Sequence, residues 1–307
     1  PASAISGGYS LLVELGAIDD THELTPMGWD LARLPIDPTL GRMVLQARRE
    51  AAVRELLVIA AGLSIQDPRE RPSDREAAAD AAHRKHAHPT SDFLSLLNLW
   101  HFVHEGWSGL RTQGQRRRFC QTHFLSYLRL REWIDLENQL EEALQDLLGD
   151  EDIASTGTET RRLDAGSRPG DRLYDGIHRS ILSGLLSNIG QRHERSQYRI
   201  AGNRIGRLFP GSTLSPRPEP QGGGARARRD TAAPTERSAT PQWIVAGEVV
   251  ETSQLFLRTA SAIDPAWIPD LAPHLVRVTH ANPRWIASAG QVVADEVITL
   301  HGLEVVR

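Results

Sequence analysis

The amino-acid sequence predicts a mainly α-helical protein that ends in a smaller β region. Three observations carry this. Residues 1–149 are leucine-rich, with apolar positions recurring at three- and four-residue steps. Beyond about residue 190 the texture changes to short β-type runs. Between those runs, residues 210–241 are rich in Pro, Gly, Ser and Ala and nearly free of large apolar side chains, which predicts disorder. The 307 residues, 40% hydrophobic and 24% charged, are enough for two or three domains with a sizeable core.

The elements follow in order. Asp37-Pro38 supplies an N-cap and a first-turn proline, and Leu40, Met43, Val44 and Ala47 then recur at helical spacing. Ser73-Asp-Arg-Glu76 has the spacing of a capping box. Ser91-Asp92 caps a run in which Phe93, Leu94, Leu96, Leu97, Leu99 and Trp100 cover almost every face, which predicts a central helix. Trp133, Leu136, Leu140, Leu144 and Leu147 form one stripe of a long helix. Residues 150–170 lack a period and read as a loop. A helix returns over 171–189 on Tyr174, Ile177, Ile181, Leu185 and Ile189. Strands are predicted at Gln197–Ile200, Arg204–Phe209, Trp243–Val250, Gln254–Thr259 and Gln291–Leu300, with a short helix starting at Asp264-Pro265.

Composition excludes several chemistries. The one lysine, Lys85, follows Arg84, so no Gly-Lys-Ser/Thr phosphate loop exists in this chain. No His-Glu-x-x-His and no Gly-x-Ser-x-Gly occurs. Cys120 is the lone cysteine, which rules out an internal disulfide and fits a reducing, cytoplasmic setting. Between Phe119 and Phe124 it reads as an inert thiol. The cluster His83-Arg-Lys-His86-Ala-His88 has ligand-like spacing, but two cations between the histidines oppose a divalent ion, so a solvated helix end is expected. No apolar run approaches the roughly 18–20 residues of a membrane span. The chain starts Pro-Ala-Ser without a methionine and reads as a piece of something longer.

Net charge is −4, so a nucleic-acid surface would need local segregation of charge. Segregation is present. Arg111, Arg116, Arg117, Arg118, Arg129 and Arg131 fall in a stretch without acids, and Glu132–Asp152 then holds nine acids without a base. A second block, Arg192–Arg229, holds nine arginines, Arg204 among them, against Glu194 and Glu219. Tyr127 and Phe124 lie within the first block. Arginine forks with interleaved aromatics suit phosphate contact and base stacking on a single strand. A helix surface whose acidic half answers its basic half is the equal alternative.

Several stretches together resemble one family. Gly8–Ile18, Leu24-Thr-Pro-Met-Gly28 and Leu34-Pro-Ile-Asp-Pro38, followed by Met43-Val-Leu45, are similar to the winged helix and the start of the helical ratchet domain of DEAH-box RNA helicases. Leu63-Ser-Ile-Gln-Asp-Pro-Arg-Glu-Arg-Pro72, Ser91–Trp100, Phe124–Trp133 and His178–Gly190 resemble ratchet signatures, the first most similar to the bacterial HrpA-type branch. Leu208-Phe-Pro-Gly-Ser212, Val249-Val-Glu-Thr-Ser253 and Asp264-Pro-Ala-Trp267 resemble the OB-fold that follows. The match is colinear over roughly 1–280.

The resemblance implies a mainly α chain with a small β-barrel. Its parts would be a winged-helix remnant over 1–36 with a wing strand at Leu24–Thr25, a ratchet bundle over 37–190, and an OB-fold over 191–280 carrying the insertion 216–241. Residues 281–307 would start a further C-terminal region. It implies an accessory wall of an RNA channel, with no catalytic centre in this chain. ATP and Mg would belong to RecA-like motor domains elsewhere in the parent helicase. Single-stranded RNA, those motor domains and an activator protein are the implied partners; docking of activators, with the acidic face 132–152 as one surface, is the alternative function. Residues expected to touch RNA are Arg69, Arg71, Arg116, Arg117, Arg118, Tyr127, Arg129, Arg204, Phe209 and Ser212. Of Arg129 and Arg131, only Arg129 is expected to reach the channel, with Arg131 paired to an acid such as Asp135.

Overall fold

Short polar side chains set where the helices begin. In the computed structural model, which describes residues 2–34, 36–148, 160–163, 166–194, 196–215, 240–288 and 290–306, α1 (Ala2–Glu14) is followed by α2 (Pro26–Arg33). The Thr25 hydroxyl accepts from Gly28 N at 3.1 Å and donates to Gly16 O at 2.6 Å, so one residue both caps α2 and ties it to the preceding turn. Leu24 makes only an isolated bridge to Ile18, so the wing is a single β-bridge and not a strand. Asp37 caps α3 (Pro38–Arg49) through Thr39 N at 2.9 Å.

The bundle continues with α4 (Val53–Ser64), α5 (Glu76–His83), α6 (Asp92–Ser108), α7 (Gln113–Thr122), α8 (Tyr127–Leu148) and α9 (Arg172–Gly184). α4 is central: Leu56 to Ala61 are all buried, between α3, α6 and α8. Trp133 of α8 is fully buried and donates its indole N–H to Val58 O at 2.8 Å, which satisfies the one polar atom it brings into the core. α9 lies tight on α3 because Gly176 and Gly184 present no Cβ; one added at Gly184 would stand 2.4 Å from Thr39 O.

Sequence expectation and structure part in four further places in the bundle. The capping box at Ser73 does not form: α5 starts at Glu76 without a side-chain cap, and Glu76 pairs with Arg71 at 3.0 Å. The helix expected over 171–189 ends at Gly184, and Ile189 starts a strand. Of the loop 150–170, the described residues 160–163 dock on the bundle: Leu163 is buried, and Arg161 binds the fully buried Glu55 through its backbone N at 2.7 Å and its Nε at 3.0 Å. Such burial of a carboxylate is tolerable only with these donors. The histidine cluster is not a solvated helix end: His88 is buried, the tilted rings of His86 and Phe102 pack with centroids 4.1 Å apart, and His83 Nε2 bonds Phe124 O at 2.9 Å.

Strands β1 (Ile189–Glu194), β2 (Gln197–Ile200), β3 (Arg204–Leu208), β4 (Trp243–Glu251) and β5 (Leu255–Ala262) close a barrel in the order β1-β2-β3-β5-β4, with β3 and β5 parallel and the other pairs antiparallel. Tyr198, Ile200, Leu208, Leu214, Ile244, Ala246, Leu257 and Ala260 fill it. Thr259 sits at φ 53° opposite Gly247, and there β5 changes phase: Leu257 and Ala260, three apart, both face inward. Of the expected insertion 216–241, residues 216–239 lie outside the described residues; Thr240 and Pro241 rest on the barrel, the Pro241 carbonyl accepting from Tyr198 OH at 2.9 Å.

After the barrel, Asp264 caps a 3-10 turn (Pro265–Trp267) that runs into the one-turn helix α10 (Ile268–Leu271). A separate sheet, β6 (Arg277–Ile286), β7 (Gln291–Leu300) and β8 (Leu303–Val306), ends the described chain. The bundle core is continuous with one side of the barrel through Ile189, Trp243, Val245 and Ile263.

Candidate nucleic-acid interface

The first basic block becomes a ladder of rings and guanidinium groups drawn from three helices. A capping box starts α7: Thr112 Oγ1 accepts from Gln115 N at 3.3 Å, and Gln115 Oε1 accepts from Thr112 N at 3.0 Å. That start places Arg116 and Arg117 beside the ends of α6 and α8. The Arg116 guanidinium carbon lies 5.1 Å from the Trp107 ring centre, and that of Arg117 lies 5.3 Å from Tyr127. The two rings are 5.8 Å apart. Arg117 and Arg118 are exposed; Arg116 is half-buried and donates to Leu110 O at 3.3 Å. Among the described residues no carboxylate pairs with Arg116, Arg117 or Arg118. The described part of the acidic stretch therefore does not answer these three, and Arg116 and Arg117 lie over aromatic rings instead. Arg131 does pair with Asp135, at 3.7 Å.

Arg69, Arg71 and Arg129 are more committed than their sequence suggests. Arg69 forks onto Asp67 (Nε–Oδ1 2.9 Å, Nη2–Oδ2 2.6 Å), and Arg129 donates to Asp67 O at 3.0 Å. Burial opposes charge on Asp67 and Arg69, but their mutual bonds outweigh it; Asp67 is held below its ordinary range, and Arg69, also within reach of the Asp92 charge, above its own. Arg71 forks onto Asp80 at 2.8 and 3.0 Å. Arg69 and Arg129 are thus engaged within the fold and Arg71 in a surface pair with Asp80 and Glu76, whereas the exposed Arg117 and Arg118 have no carboxylate partner among the described residues.

The barrel carries a second aromatic and basic surface. Phe209 is 39% exposed, with Phe256 edge-on at 6.1 Å and Arg258 over its ring at 5.1 Å. Arg258 also reaches Glu248 at 3.3 Å. Arg207 stands beside Phe256 in the β3–β5 pairing, and Arg204 and Ile205 are exposed at the start of β3. Phe256 and Arg258, on the expected strand Gln254–Thr259, and Arg207, a member of the second basic block, were not among the residues expected to touch RNA.

Ser212 is not at this surface. Its buried hydroxyl donates to Asp92 Oδ2 at 2.6 Å. Asp92 also accepts from Thr213 N and Thr213 Oγ1, both at 2.8 Å, and from Ala260 N at 2.9 Å. Only Ser91 caps α6, accepting from Leu94 N at 3.1 Å, while Asp92 fastens the barrel to the bundle. The Ser91 hydroxyl meets His178 Nε2 at 2.8 Å; His178 Nδ1–H donates to the Tyr174 carbonyl at 2.7 Å, and Tyr174 OH donates to Ala262 O at 3.1 Å. The seam is thus a polar network running from α6 through α9 to the barrel, with the buried Ser261 hydroxyl beside it left without a partner among the described residues.

No group of three or more His, Cys, Asp or Glu able to hold a metal occurs among the described residues. Burial pushes the Cys120 thiol up to about 11, away from nucleophile chemistry.

Comparison with known proteins agrees with this architecture. A helicase-associated winged-helix model matches residues 9–36, a helicase-associated ratchet-like model matches 37–96, and an oligonucleotide/oligosaccharide-binding-fold model matches 177–276. The chain belongs to the helicase-associated region of DEAH-box RNA helicases, of the HrpA type. It is 38% identical over 308 residues to the ATP-dependent RNA helicase HrpA of Escherichia coli and 37% identical over 310 residues to the HrpA homolog of Haemophilus influenzae. Each match covers 98% of this chain and 21% of the relative. A probable ATP-dependent RNA helicase, DHX35 of Homo sapiens, is 27% identical over 276 residues, covering 89% of this chain and 33% of that protein. The chain spans about a fifth of the length of the bacterial relatives it matches.

Proposed function

We propose that this accessory module forms one wall of a channel that holds single-stranded RNA without reading its sequence. The observation that carries the proposal is the Arg116–Trp107–Tyr127–Arg117 ladder, whose cations lack carboxylate partners among the described residues. Guanidinium groups propped on rings, beside the exposed Arg118, suit phosphates spaced along a strand. Phe209 with Arg204, Arg207 and Arg258 gives the barrel a complementary stacking platform. Stacking rings and guanidinium groups meet bases and phosphates of any sequence alike, which fits a strand that must slide.

ATP and Mg, in this proposal, serve RecA-like motor domains of a complete helicase. The exposed apolar side chains of the winged-helix remnant, Ile5, Tyr9, Leu24 and Trp29, support a docking face for those domains. A second reading, docking of an activator protein, draws on a shallow groove along α8 lined by Leu128, Arg131, Glu132, Asp135, Leu136 and Gln139, where Leu128 is 72% exposed.

The test is fluorescence anisotropy with poly-U and poly-A across a salt series. Arg117→Gln with Arg118→Gln is expected to weaken both polymers by similar factors. The log–log salt slope should shrink by about 0.7 for each phosphate that the variant no longer neutralises, and the melting temperature should hold. Unchanged affinity would sink the channel-wall reading and leave the protein-docking one.

A further inference from the structure

A cavity of about 530 Å³ lies away from both surfaces, between the turn before α2, the face of α3, α9 and the 270–274 segment. The cations Arg42, Arg49 and Arg179 and the ring of His274 line it together with the carboxylates Glu50 and Asp270. Arg42 is only 7% exposed, yet it meets no carboxylate among the described residues. Its Nε donates to Leu15 O at 3.3 Å and its Nη1 to Gln46 Oε1 at 3.1 Å, both neutral acceptors. A guanidinium has five N–H donors, so three remain unused here.

The neighbouring acid is already engaged. Glu50 Oε1 accepts from Gln46 Nε2 at 3.0 Å and from Arg179 Nε at 2.9 Å, and Arg179 also faces Asp270 at 3.9 Å. Arg49 follows Arg42 by seven residues, two turns along the same stripe of α3, and has no ion pair among the described residues. The charges of Arg42, Arg49 and Arg179 thus outnumber those of Glu50 and Asp270. Burial and the Arg49 charge together press the Arg42 guanidinium down to about 10, still protonated at neutral pH. A buried, charged arginine beside a second cation and an open cavity lacks a counter-ion.

We propose that this cavity is a binding site for a phosphate oxyanion, held between Arg42 and Arg49 and separate from the RNA-facing surfaces. Two guanidinium forks approaching from different turns suit a tetrahedral group with acceptors on several sides. The first turn of α2, at Pro26 and Met27, lines the same space and adds the positive end of its dipole.

The experiment uses the 307-residue chain and inorganic phosphate, with chloride and acetate at matched ionic strength. Phosphate should raise the melting temperature in a saturable way that chloride and acetate do not reproduce. Arg49→Gln, at an exposed position, should keep the helical circular dichroism and weaken phosphate binding about tenfold. Arg42→Gln should abolish binding; if that variant fails to fold, Arg49→Gln alone decides. Poly-U affinity should be unaltered in Arg49→Gln. Equal stabilisation by all three anions, an undiminished phosphate effect in Arg49→Gln, or a loss of poly-U affinity in that variant would each overturn a separate phosphate site.

Discussion

Asp92 shows how far a single side chain can differ from its sequence context. As part of a Ser-Asp helix start it reads as a cap worth about 0.5–2 kcal/mol. In the fold its carboxylate receives four hydrogen bonds from Ser212, Thr213 and Ala260. Asp92→Ala strands several buried donors, each costing about 1–3 kcal/mol, so a loss on the order of 3 kcal/mol or more is expected by urea denaturation. Amide exchange should accelerate first at Thr213 and Ala260; a loss confined to α6 would instead restore the capping role. His178 predicts a pH effect at the same seam. Burial depresses its pKa to about 3, with the nearby His88 adding in the same direction, against roughly 6.5 for an unfolded histidine. The neutral ring is the folded form, so its contribution is complete above pH 6.5 and drains away as pH falls toward 3, by up to about 1.4 kcal/mol per pH unit. His178→Asn should flatten the acid limb of stability against pH by close to one proton; an unchanged limb would place the titration elsewhere.

At the scale of elements, close approach between helices decides more than propensity does. α9 carries Gly176, Ser180 and Gly184 on the face that meets α3, and a Cβ at Gly184 would collide with the Thr39 carbonyl. Gly184→Ala gains helix propensity, yet it should cost about 1–3 kcal/mol because the backbone of α3 must move; a neutral or raised melting temperature would mean that the helices can separate freely. Five strands were legible as short β-type runs; β2 and β3 alternate in burial, whereas β4 opens on four consecutive buried residues. β1 was hidden because Leu185 and Ile189 prolong the helical stripe across a 3-10 turn. β6 was hidden because nearly every residue in Arg277–Ile286 is exposed, Pro283 interrupts it, and a register shift falls between Ala281 and Arg284. A strand without a buried face leaves no period to read.

For the whole molecule, the sequence revealed the charged regions more readily than the interactions that organise them. The arginine block was visible because like charges without acids stand out in one dimension. That Arg69 is absorbed by Asp67, that Ser212 is turned inward to a residue 120 positions away, and that Phe256 and Arg258 join Phe209 are facts of tertiary closure. The proposed channel wall accordingly has two parts, the α7 ladder on the bundle and the Phe209 platform on the barrel, locked together through Asp92. A strand long enough to cover both should bind in two stages as length grows, because the second surface is then engaged at a high effective concentration. Uridine oligomers of increasing length test this by anisotropy. Phe209→Ala with Arg258→Gln should erase the added affinity of the long oligomers and leave the short ones bound as before. Arg117→Gln with Arg118→Gln should weaken both classes. If affinity rises in a single stage, or if the barrel variant binds every length equally poorly, the two surfaces do not serve one strand, and the barrel face must be assigned to a different partner.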